Sequence, residues 1–371
     1  MKTVGIVCEY NPFHRGHGRQ LSLLREQYPE AALVCLMSGR FVQRGEPAVY
    51  APSVRAGAAL LAGADLVLEL PVTVSIRSAE GFAAGAVEIL TRLGTEGLSF
   101  GTESPAGHRE AARVLLQPEL SLALRPYLDQ GLSFPAARSR AAADLGADPG
   151  VLTRPNDILG VEYCKAILSQ GSPMTPLPLC RPGDYHAREA DRENPSATSL
   201  RERIFRGESL EGFVPHPEVY RGAVPHSLAY GERAVLARLR TMDEAAFQAL
   251  PYGSEGLWRK LRRACLEEAT LEGILEAAKS RRYTRTRLAR MLLCAYLGIT
   301  REELEAPAPY VRVLGFGPRG RALLRGRDWL QNLGKRMEHP RQAREDQWRN
   351  LYDLTAKALP APRARERVTV L

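Results

Sequence analysis

The segment V-G-I-V-C-E-Y-N-P-F-H-R-G-H at residues 4–17 decides the fold of this chain. The apolar residues 3–8 predict a first β-strand, and the first helix is predicted to begin at the two histidines. His14 and His17 are three residues apart, so both rings lie on one side of the first helical turn. Backbone N–H groups there are unpaired and favour anions, and Gly16 allows a phosphate to approach the backbone. We therefore predict a phosphate-binding turn in which both imidazoles donate to phosphoryl oxygens.

A second phosphate-binding element is predicted at S-A-T-S-L-R, residues 196–201. Ser196 and Thr198 supply hydroxyls and Arg201 a guanidinium at the start of another helix, which suits a leaving pyrophosphate. Each element also has a purely structural interpretation. A short H-x-G-H pattern is compatible with an exposed polar loop, and Ser196 with an ordinary helix N-cap. The position of H-x-G-H directly after the first strand favours the phosphate-binding interpretation.

Apolar runs and helical patterns alternate along the first hundred residues, as in a parallel α/β sheet. The runs are continuous, which is what strands covered by helices on both faces require. After about residue 200 the pattern is mainly helical, with few candidate strands. We predict a Rossmann-like, nucleotide-binding catalytic domain at residues 1–205 and a basic, mainly α-helical domain at residues 206–371. Strands are predicted at residues 3–8, 31–37, 66–70 and 98–101, helices at residues 18–27, 53–62, 79–93 and 158–168, and a long polar loop at residues 38–50.

Positive charge is concentrated in the second half of the chain, whose net charge over 371 residues is +9. Residues 1–200 contain 19 Lys or Arg and 21 Asp or Glu, whereas residues 201–371 contain 32 and 21. A neutral half joined to a basic half is typical of a catalytic domain beside a polyanion-binding domain. The excess of Arg over Lys, 45 to 6, is also compatible with a coding bias that has no function.

Composition excludes several classes of protein. No apolar run approaches the ~20 residues that span a bilayer, so no membrane association is expected. The six cysteines are scattered without a C-x-x-C pair, which predicts reduced thiols, a cytoplasmic protein and no resident metal site.

The densest basic cluster is K-S-R-R-Y-T-R-T-R-L-A-R at residues 279–290, directly before an apolar helix. Such a segment can follow RNA phosphates while Tyr283 stacks on a base. The alternative is a solvated helical face with Leu288 on its buried side. The charge density favours RNA contact. The candidate RNA-binding residues are Lys279, Arg281, Arg282, Arg285, Arg287 and Arg290.

Several motifs together resemble the bacterial tRNA(Met) cytidine acetate ligase family, within the superfamily of H-x-G-H nucleotidyltransferases. The resemblance covers most of the chain. Besides residues 4–17 and 196–201, it rests on M-S-G-R-F-V-Q-R-G-E-P-A (37–48), G-A-D-L-V-L-E-L-P (63–71), S-F-G-T-E (99–103), N-D-I-L-G-V-E-Y (156–163), Y-T-R-T-R-L-A-R (283–290) and Y-V-R-V-L-G-F (310–316).

The resemblance implies an ATP-dependent carbon–nitrogen ligase. Such an enzyme activates acetate as acetyl-adenylate and acetylates the N4 amine of the wobble cytidine of elongator tRNA(Met), with Mg²⁺ accompanying ATP. The expected catalytic residues are His14 and His17, and Ser196, Thr198 and Arg201 are expected to bind phosphate. The expected ATP-binding residues are Val7, Cys8, Glu9, Tyr10, Asn11, Pro12, Phe13, His14, Arg15, Gly16, His17, Gly18, Arg19, Gln20, Gly101, Asn156 and Arg181.

Two positions depart from the family pattern. The lysine that usually follows R-G-E-P-A is missing before Pro52, so Arg44 or Arg55 is expected to supply the cation. Gln20 stands where a third histidine is common.

Phe41 is expected either to form an apolar wall of the acetate pocket or to anchor its own loop.

Two other functions remain open from the sequence. A small-molecule nucleotidyltransferase would need no basic C-terminal half. A non-catalytic RNA-binding protein on the same scaffold is compatible with the missing lysine, whereas the intact phosphate-binding motifs speak against it. The basic half and the intact motifs together favour the tRNA-modifying ligase.

Overall fold

The structure, a computed structural model, describes residues 1–180, 195–332, 340–360 and 368–371. The strands are β1 (Thr3–Cys8), β2 (Ala32–Ser38), β3 (Phe41–Val42), β4 (Glu46–Pro47), β5 (Leu66–Leu70), β6 (Gly97–Thr102), β7 (Thr175–Cys180), β8 (Val311–Phe316), β9 (Leu330–Asn332) and β10 (Thr369–Val370). The α-helices are α1 (Arg15–Gln27), α2 (Pro52–Leu61), α3 (Val72–Ser75), α4 (Ala79–Leu93), α5 (His108–Leu115), α6 (Leu120–Asp129), α7 (Phe134–Asp144), α8 (Pro155–Ser169), α9 (Ala197–Arg206), α10 (Glu232–Thr241), α11 (Glu244–Gln248), α12 (Leu257–Glu267), α13 (Leu271–Ala278), α14 (Arg285–Leu297), α15 (Arg301–Glu305), α16 (Pro318–Leu323) and α17 (Pro340–Asp353). Short 3₁₀ helices lie at Pro149–Leu152 and Pro217–Tyr220.

One sheet organises the described chain, with strand order β10–β8–β5–β2–β1–β6–β7 and β9 paired to β8. The five strands β5, β2, β1, β6 and β7 are parallel to one another. Their chain order runs outward from β1 in both directions, so it reverses between β1 and β6. In parallel α/β sheets, ligands bind in the crevice beyond the carboxyl ends of the strands at such a reversal. The fold therefore places a binding site beyond Cys8 and Thr102.

Helices cover both faces of the parallel strands, as the continuous apolar runs predict. One face packs against α4 and α8, with Leu68 and Leu98 in the shared core. The other face packs against α1 and α2, with Ile6 and Cys35 in the core. All seven residues of β2 are buried, because this strand is central and covered on both sides. The predicted Rossmann-like α/β fold is confirmed.

The region after residue 206 is mainly helical but also completes the sheet. Helices α10 to α14 enclose an apolar core of their own. Beyond the predicted parallel strands, β8 pairs antiparallel with β5, and β10 pairs parallel with β8. Local periodicity does not reveal a pairing between segments so far apart in sequence. The division at residues 205 and 206 therefore remains a proposal, and strand pairing crosses it.

Residues 38–50, predicted as a polar loop, are mostly buried and contain the β3–β4 hairpin. Arg55 of α2 holds this segment and is fully buried. Its guanidinium donates to the carbonyl oxygens of Glu9 at 2.6 Å and Ser38 at 2.9 Å, and also to that of Gly39. A buried charge is tolerated when it is fully hydrogen-bonded. Through these hydrogen bonds Arg55 connects the ends of β1 and β2 to the start of the hairpin.

The six cysteines are free thiols; five are buried and Cys180 is exposed. Burial raises the pKa of Cys164 to about 12, which keeps it protonated at neutral pH. None of the helices in the described ranges combines the length and apolar content needed to cross a bilayer.

Candidate active site

A cavity of about 650 Å³ opens at the point where the strand order reverses. Its wall comes from the ends of β1 and β6, the first turns of α1, α8 and α9, and the start of α14. A volume of several hundred Å³ is typical of pockets for nucleotide-sized ligands. The predicted site residues on this wall are Val7, Cys8, Glu9, Tyr10, Asn11, His17, Gln20, Gly101, Asn156, Thr198, Arg201 and Arg290.

The two histidines form a capping box at the start of α1. The Nδ1 atom of His14 accepts from the Gly16 N–H at 3.1 Å, and the Nδ1 atom of His17 accepts from the His14 N–H at 3.2 Å. Because both Nδ1 atoms accept, each neutral imidazole carries its proton on Nε2. The capping geometry thus prepares Nε2–H donors, the form that can stabilise a phosphoryl oxygen.

The two rings stack at a centroid distance of 3.7 Å but differ in position. His17 lines the cavity. His14 is only 3% exposed and lies behind the His17 ring, off the cavity wall. A Cβ on Gly16 would come within 3.1 Å of the His14 ring. A side chain at position 16 would require that ring to shift by a few tenths of an ångström, so Gly16 favours the observed fit of the ring over the helix start.

The second predicted element is joined directly to the first turn. Arg201 donates to the carbonyl oxygen of Asn11 at 3.0 Å and to the Thr198 hydroxyl at 3.2 Å. Both Thr198 and Arg201 line the cavity. The Ser196 hydroxyl instead accepts from the Ser199 N–H at 3.1 Å, so Ser196 serves as the N-cap of α9. The structure brings the two phosphate-binding candidates together across 190 residues of sequence.

Beside the expected ATP-binding residues Gly101 and Asn156, a hydrogen-bond network centres on Asp157, which the sequence analysis did not single out. Asp157 is buried and accepts from the N–H groups of Glu103 at 2.9 Å and Ser104 at 3.1 Å, and lies 3.0 Å from Nε2 of His108. Its neighbour Asn156 donates to the Glu103 carboxylate at 2.9 Å. This network fixes the chain after β6 against the start of α8. The sequence signal that could have indicated a role for Asp157 is its position directly after Asn156 in the N-D-I-L motif.

Arg55 does not replace the missing lysine. Its guanidinium donates to backbone carbonyls, and the residue does not line the cavity. Arg44 does line it, at the exposed tip of the β3–β4 hairpin. Nearby, burial raises the pKa of the Glu9 carboxyl, opposed by the Gln43 N–H at 2.9 Å and by the positive charges of Arg201 and Arg44. Arg44 is therefore the remaining candidate for the lysine's role.

Part of the first turn faces away from the cavity. The Tyr220 hydroxyl donates to the Phe13 carbonyl at 3.1 Å, and the Arg15 N–H donates to the Phe213 carbonyl at 3.2 Å. These contacts anchor the turn to the segment after α9. The expected ATP-binding residues on the turn or helix but outside the cavity wall are Pro12, Phe13, His14, Arg15, Gly16, Gly18 and Arg19. Arg181 lies outside the described residues.

Phe41 is not on the wall of this cavity, so the structure favours the second of the two alternatives, the loop anchor. It is 1% exposed and packs edge-on against Tyr352 at a centroid distance of 5.7 Å. Its carbonyl accepts from the Ser75 hydroxyl at 2.9 Å. Phe41 is the loop anchor, and it joins the hairpin to the C-terminal helical core.

The basic segment is only partly helical, because α14 begins at Arg285 with Thr284 as its N-cap. Carboxylates accompany several of its cations. Arg285 pairs with Glu272 and Glu276, and Arg282 lies 3.3 Å from Glu255. The Tyr283 hydroxyl also donates to the Glu255 carboxylate at 2.8 Å, and this hydrogen bond fixes the position of the ring. Arg287 donates to the Tyr252 carbonyl at 2.9 Å, and Lys279 lies 3.4 Å from Glu276.

Within the described ranges, no three His, Cys, Asp or Glu side chains are grouped so that they could hold a metal ion. The donors around the cavity are instead imidazole, guanidinium, hydroxyl and amide groups, which suit phosphate and ribose oxygens.

A parallel α/β sheet with H-x-G-H capping the first helix and an arginine brought back to that turn defines a nucleotidyltransferase of the H-x-G-H class. A sequence profile described as HIGH Nucleotidyl Transferase matches residues 1–357. A protein of Acetivibrio thermocellus named tRNA(Met) cytidine acetate ligase is 35% identical over 358 residues, covering 87% of this chain and 85% of that protein.

Solved structures give the same relationship. The apo crystal structure of Thermotoga maritima TmcAL superimposes with a TM-score of 0.88 at 27% identity, and all of both chains is covered. The same protein bound with alpha-thio ATP gives a TM-score of 0.84 at 29% identity, covering 97% of this chain and 96% of that one. The chain belongs to the tRNA(Met) cytidine acetate ligase family.

Proposed function

We propose that this protein is an ATP-dependent ligase that acetylates the N4 amine of the wobble cytidine of elongator tRNA(Met). The proposal rests mainly on His17 and Arg201, two predicted anion-binding residues that line the same nucleotide-sized cavity. A hydrogen bond from Arg201 to the Asn11 carbonyl connects the two elements that contain them. The names of its relatives and the ATP analogue bound to the T. maritima protein support the choice of substrates.

The first half-reaction removes a chemical barrier, because a carboxylate is a poor electrophile towards an amine. An acetate oxygen attacks the α-phosphorus of Mg–ATP, the bond between the α- and β-phosphates breaks, and pyrophosphate leaves with acetyl-adenylate remaining. His17 donates through Nε2–H to the developing charge, and His14 holds the His17 ring by stacking. We assign the binding of the leaving pyrophosphate to Arg201, Thr198 and the start of α9.

In the second half-reaction the cytidine N4 attacks the acetyl carbonyl carbon. The bond from that carbon to the adenylate oxygen breaks, AMP leaves, and N4 loses a proton to give N4-acetylcytidine. The wobble base has to be unstacked from the anticodon loop to reach the cavity. The basic residues of segment 279–290 are proposed to bind the RNA backbone.

The proposal is tested by two measurements on the wild-type protein. Acetate-dependent exchange of labelled pyrophosphate into ATP, without tRNA, reports the first half-reaction. Nucleoside mass spectrometry of bulk tRNA from a strain lacking this protein reports the second. Exchange that needs acetyl-coenzyme A instead of free acetate, or unchanged N4-acetylcytidine in the deletion strain, contradicts the proposal.

A further inference from the structure

The part of the cavity wall supplied by the C-terminal region contains a buried cation that the ATP-binding candidates do not account for. Arg290, in the second turn of α14, is 9% exposed and lines the cavity. Its Nε atom has no hydrogen-bond partner among the residues that the structure describes. Buried polar groups in native proteins are satisfied by a partner or a ligand, and buried charges especially so.

Three of the four carboxylates on the cavity wall are engaged with other groups, and the fourth, Glu46, is exposed on the hairpin. Glu162 pairs with Arg138, and Glu80 lies 2.5 Å from Lys165. Glu9 accepts from the Gln43 N–H, as described above. In the described part of the chain, no carboxylate stands within salt-bridge distance of Arg290.

Arg290 instead stacks on an aromatic ring. Its Cζ lies 5.2 Å from the ring centroid of Tyr252, whose hydroxyl donates to the Ile76 carbonyl at 3.0 Å. Burial lowers the pKa of the Arg290 guanidinium, and the charge interaction and hydrogen bond with the Tyr252 side chain oppose this only in part. A stacked aromatic ring stabilises a cation less than a bound anion does. Tyr252 therefore holds the Arg290 side chain in place, while its Nε atom has no partner among the described residues.

The start of α14 adds further donors beside Arg290. Thr284 caps the helix by accepting from the Arg287 N–H at 3.3 Å, and both Thr284 and Thr286 line the cavity. The first turn of a 13-residue helix has unpaired N–H groups and the positive end of the helix dipole, and both favour anions.

A second guanidinium comes from the hairpin that rests on α14. A Cβ on Gly45 would lie 2.6 Å from the backbone nitrogen of Arg290, so the two backbones are in direct contact. The neighbouring Arg44 lines the cavity as well. Two arginines from separate elements whose backbones are in contact therefore line the same cavity.

We propose that Arg290, Arg44 and the first turn of α14 form a second phosphate-binding subsite of the cavity, distinct from Thr198 and Arg201. It binds one phosphoryl group of a substrate, either a phosphodiester of the tRNA backbone near the reacting cytidine or a terminal phosphate of ATP. The identity of these two substrates rests on the proposed function.

The test uses the full chain with Arg290→Gln and Arg44→Gln. Binding of a tRNA(Met) transcript is measured by filter binding over a KCl series, and binding of ATP by isothermal titration calorimetry. The matched control is Arg259→Gln, because Arg259 of α12 also stacks on an aromatic ring, 4.7 Å from the centroid of Trp258, but does not line the cavity. Thermal unfolding checks each variant, and Arg44, at an exposed turn, keeps the test available if Arg290→Gln does not fold.

For a phosphodiester ligand, both variants weaken tRNA binding about tenfold and lower its salt slope by about 1, with ATP affinity unchanged. For a phosphate of ATP, the affinity for ATP falls about tenfold and tRNA binding is unchanged. If both variants stay within twofold of Arg259→Gln in both assays, the subsite does not exist. These are binding measurements, so a wild type without acetate-dependent exchange rejects the proposed function alone.

Discussion

The two histidines of the first turn serve both the helix and the proposed chemistry, and suitable substitutions separate these roles. His14→Asn keeps an N-cap acceptor, and His17→Gln keeps a side chain that can accept at the N3 position of a capping box. Both variants should fold normally. His17→Gln should lose roughly 10²- to 10³-fold in acetate-dependent pyrophosphate exchange, because one positioned donor to the transition state is removed.

His14→Asn should lose less activity than His17→Gln, because His14 lies behind His17 and acts through its ring. Thermal unfolding and ATP affinity provide the controls. Equal and near-wild-type exchange rates in both variants would remove the imidazoles from the proposed mechanism.

Asp157 is expected to be the most sensitive carboxylate of the site. Asp157→Ala leaves two N–H groups, the Ser104 hydroxyl and His108 without their acceptor, which should cost about 3 kcal/mol of unfolding free energy. ATP affinity should fall as well, since Asn156 is no longer held. Urea unfolding and calorimetry measure the two effects. Asp144→Ala is the control, because Asp144 is an exposed acceptor for the Tyr127 hydroxyl.

The stabilisation by Asp157 should depend on pH with a definite sign. Burial acts to raise the pKa of the carboxyl, but hydrogen bonds from His108, Glu103 and Ser104 outweigh it, so the pKa in the folded protein lies below its ordinary value of 3.8. A depressed pKa contributes stability that is fully present above 3.8 and is lost as the pH falls through the folded value. The difference in unfolding free energy between wild type and Asp157→Ala should therefore be constant from pH 7 to about pH 5 and shrink at lower pH.

Sequence reasoning located residues whose role follows from local position and missed those whose role follows from distant contacts. His14, His17 and Arg201 could be proposed from the sequence because each has a fixed offset from a helix start. Arg55 and Asp157 could not be assigned, because the carbonyls and donors that satisfy them come from other elements. Asn156 was proposed as an ATP-binding residue only through the resemblance to a family.

At the scale of elements, the β3–β4 hairpin depends on a glycine that meets the backbone of α14. Gly45 has φ of 84°, and an added Cβ would lie 2.6 Å from backbone atoms of Ala289 and Arg290. Gly45→Ala should lose more than about 2 kcal/mol of stability, from the φ strain and the overlap together. Gly131→Ala is the matched control, since Gly131 has φ of 78° and open space around its Cβ position.

A loss in Gly45→Ala no larger than that in Gly131→Ala, measured by urea unfolding, would show that the hairpin can move away from α14 at no cost. The hairpin itself was not predicted, because strands of two residues are too short to give a periodic signal. The longer elements β1, β5 and α4 were predicted at their observed bounds, since each is a full apolar or amphipathic run.

At the scale of the whole molecule, the basic C-terminal half should make tRNA binding strongly dependent on salt. The ion pairs of segment 279–290 with Glu255, Glu272 and Glu276 are exposed, and such pairs contribute only about 0–1 kcal/mol, so phosphates can replace the carboxylates. The combined substitution of Arg281, Arg282 and Arg285 by Gln should weaken tRNA binding and lower the slope of log K against log salt by roughly 0.9 for each phosphate that is no longer neutralised. Acetyl-adenylate formation should be unaffected; an unchanged slope would assign these residues to a merely solvated surface.

The pairing of β8 with β5 also has a consequence for biosynthesis. When β5 leaves the ribosome, the strand that covers its outer edge has not been made, because β5 ends at Leu70 and β8 begins at Val311. At about 5–20 residues per second, that edge waits roughly 10–50 s as an open template for other chains. Nascent chains stalled before residue 311 should therefore be more sensitive to protease and bind chaperones more than chains stalled well beyond residue 316. Strands translated late close the sheet that the first strands begin. The time during which the β5 edge can pair with other chains is therefore set by the rate of translation.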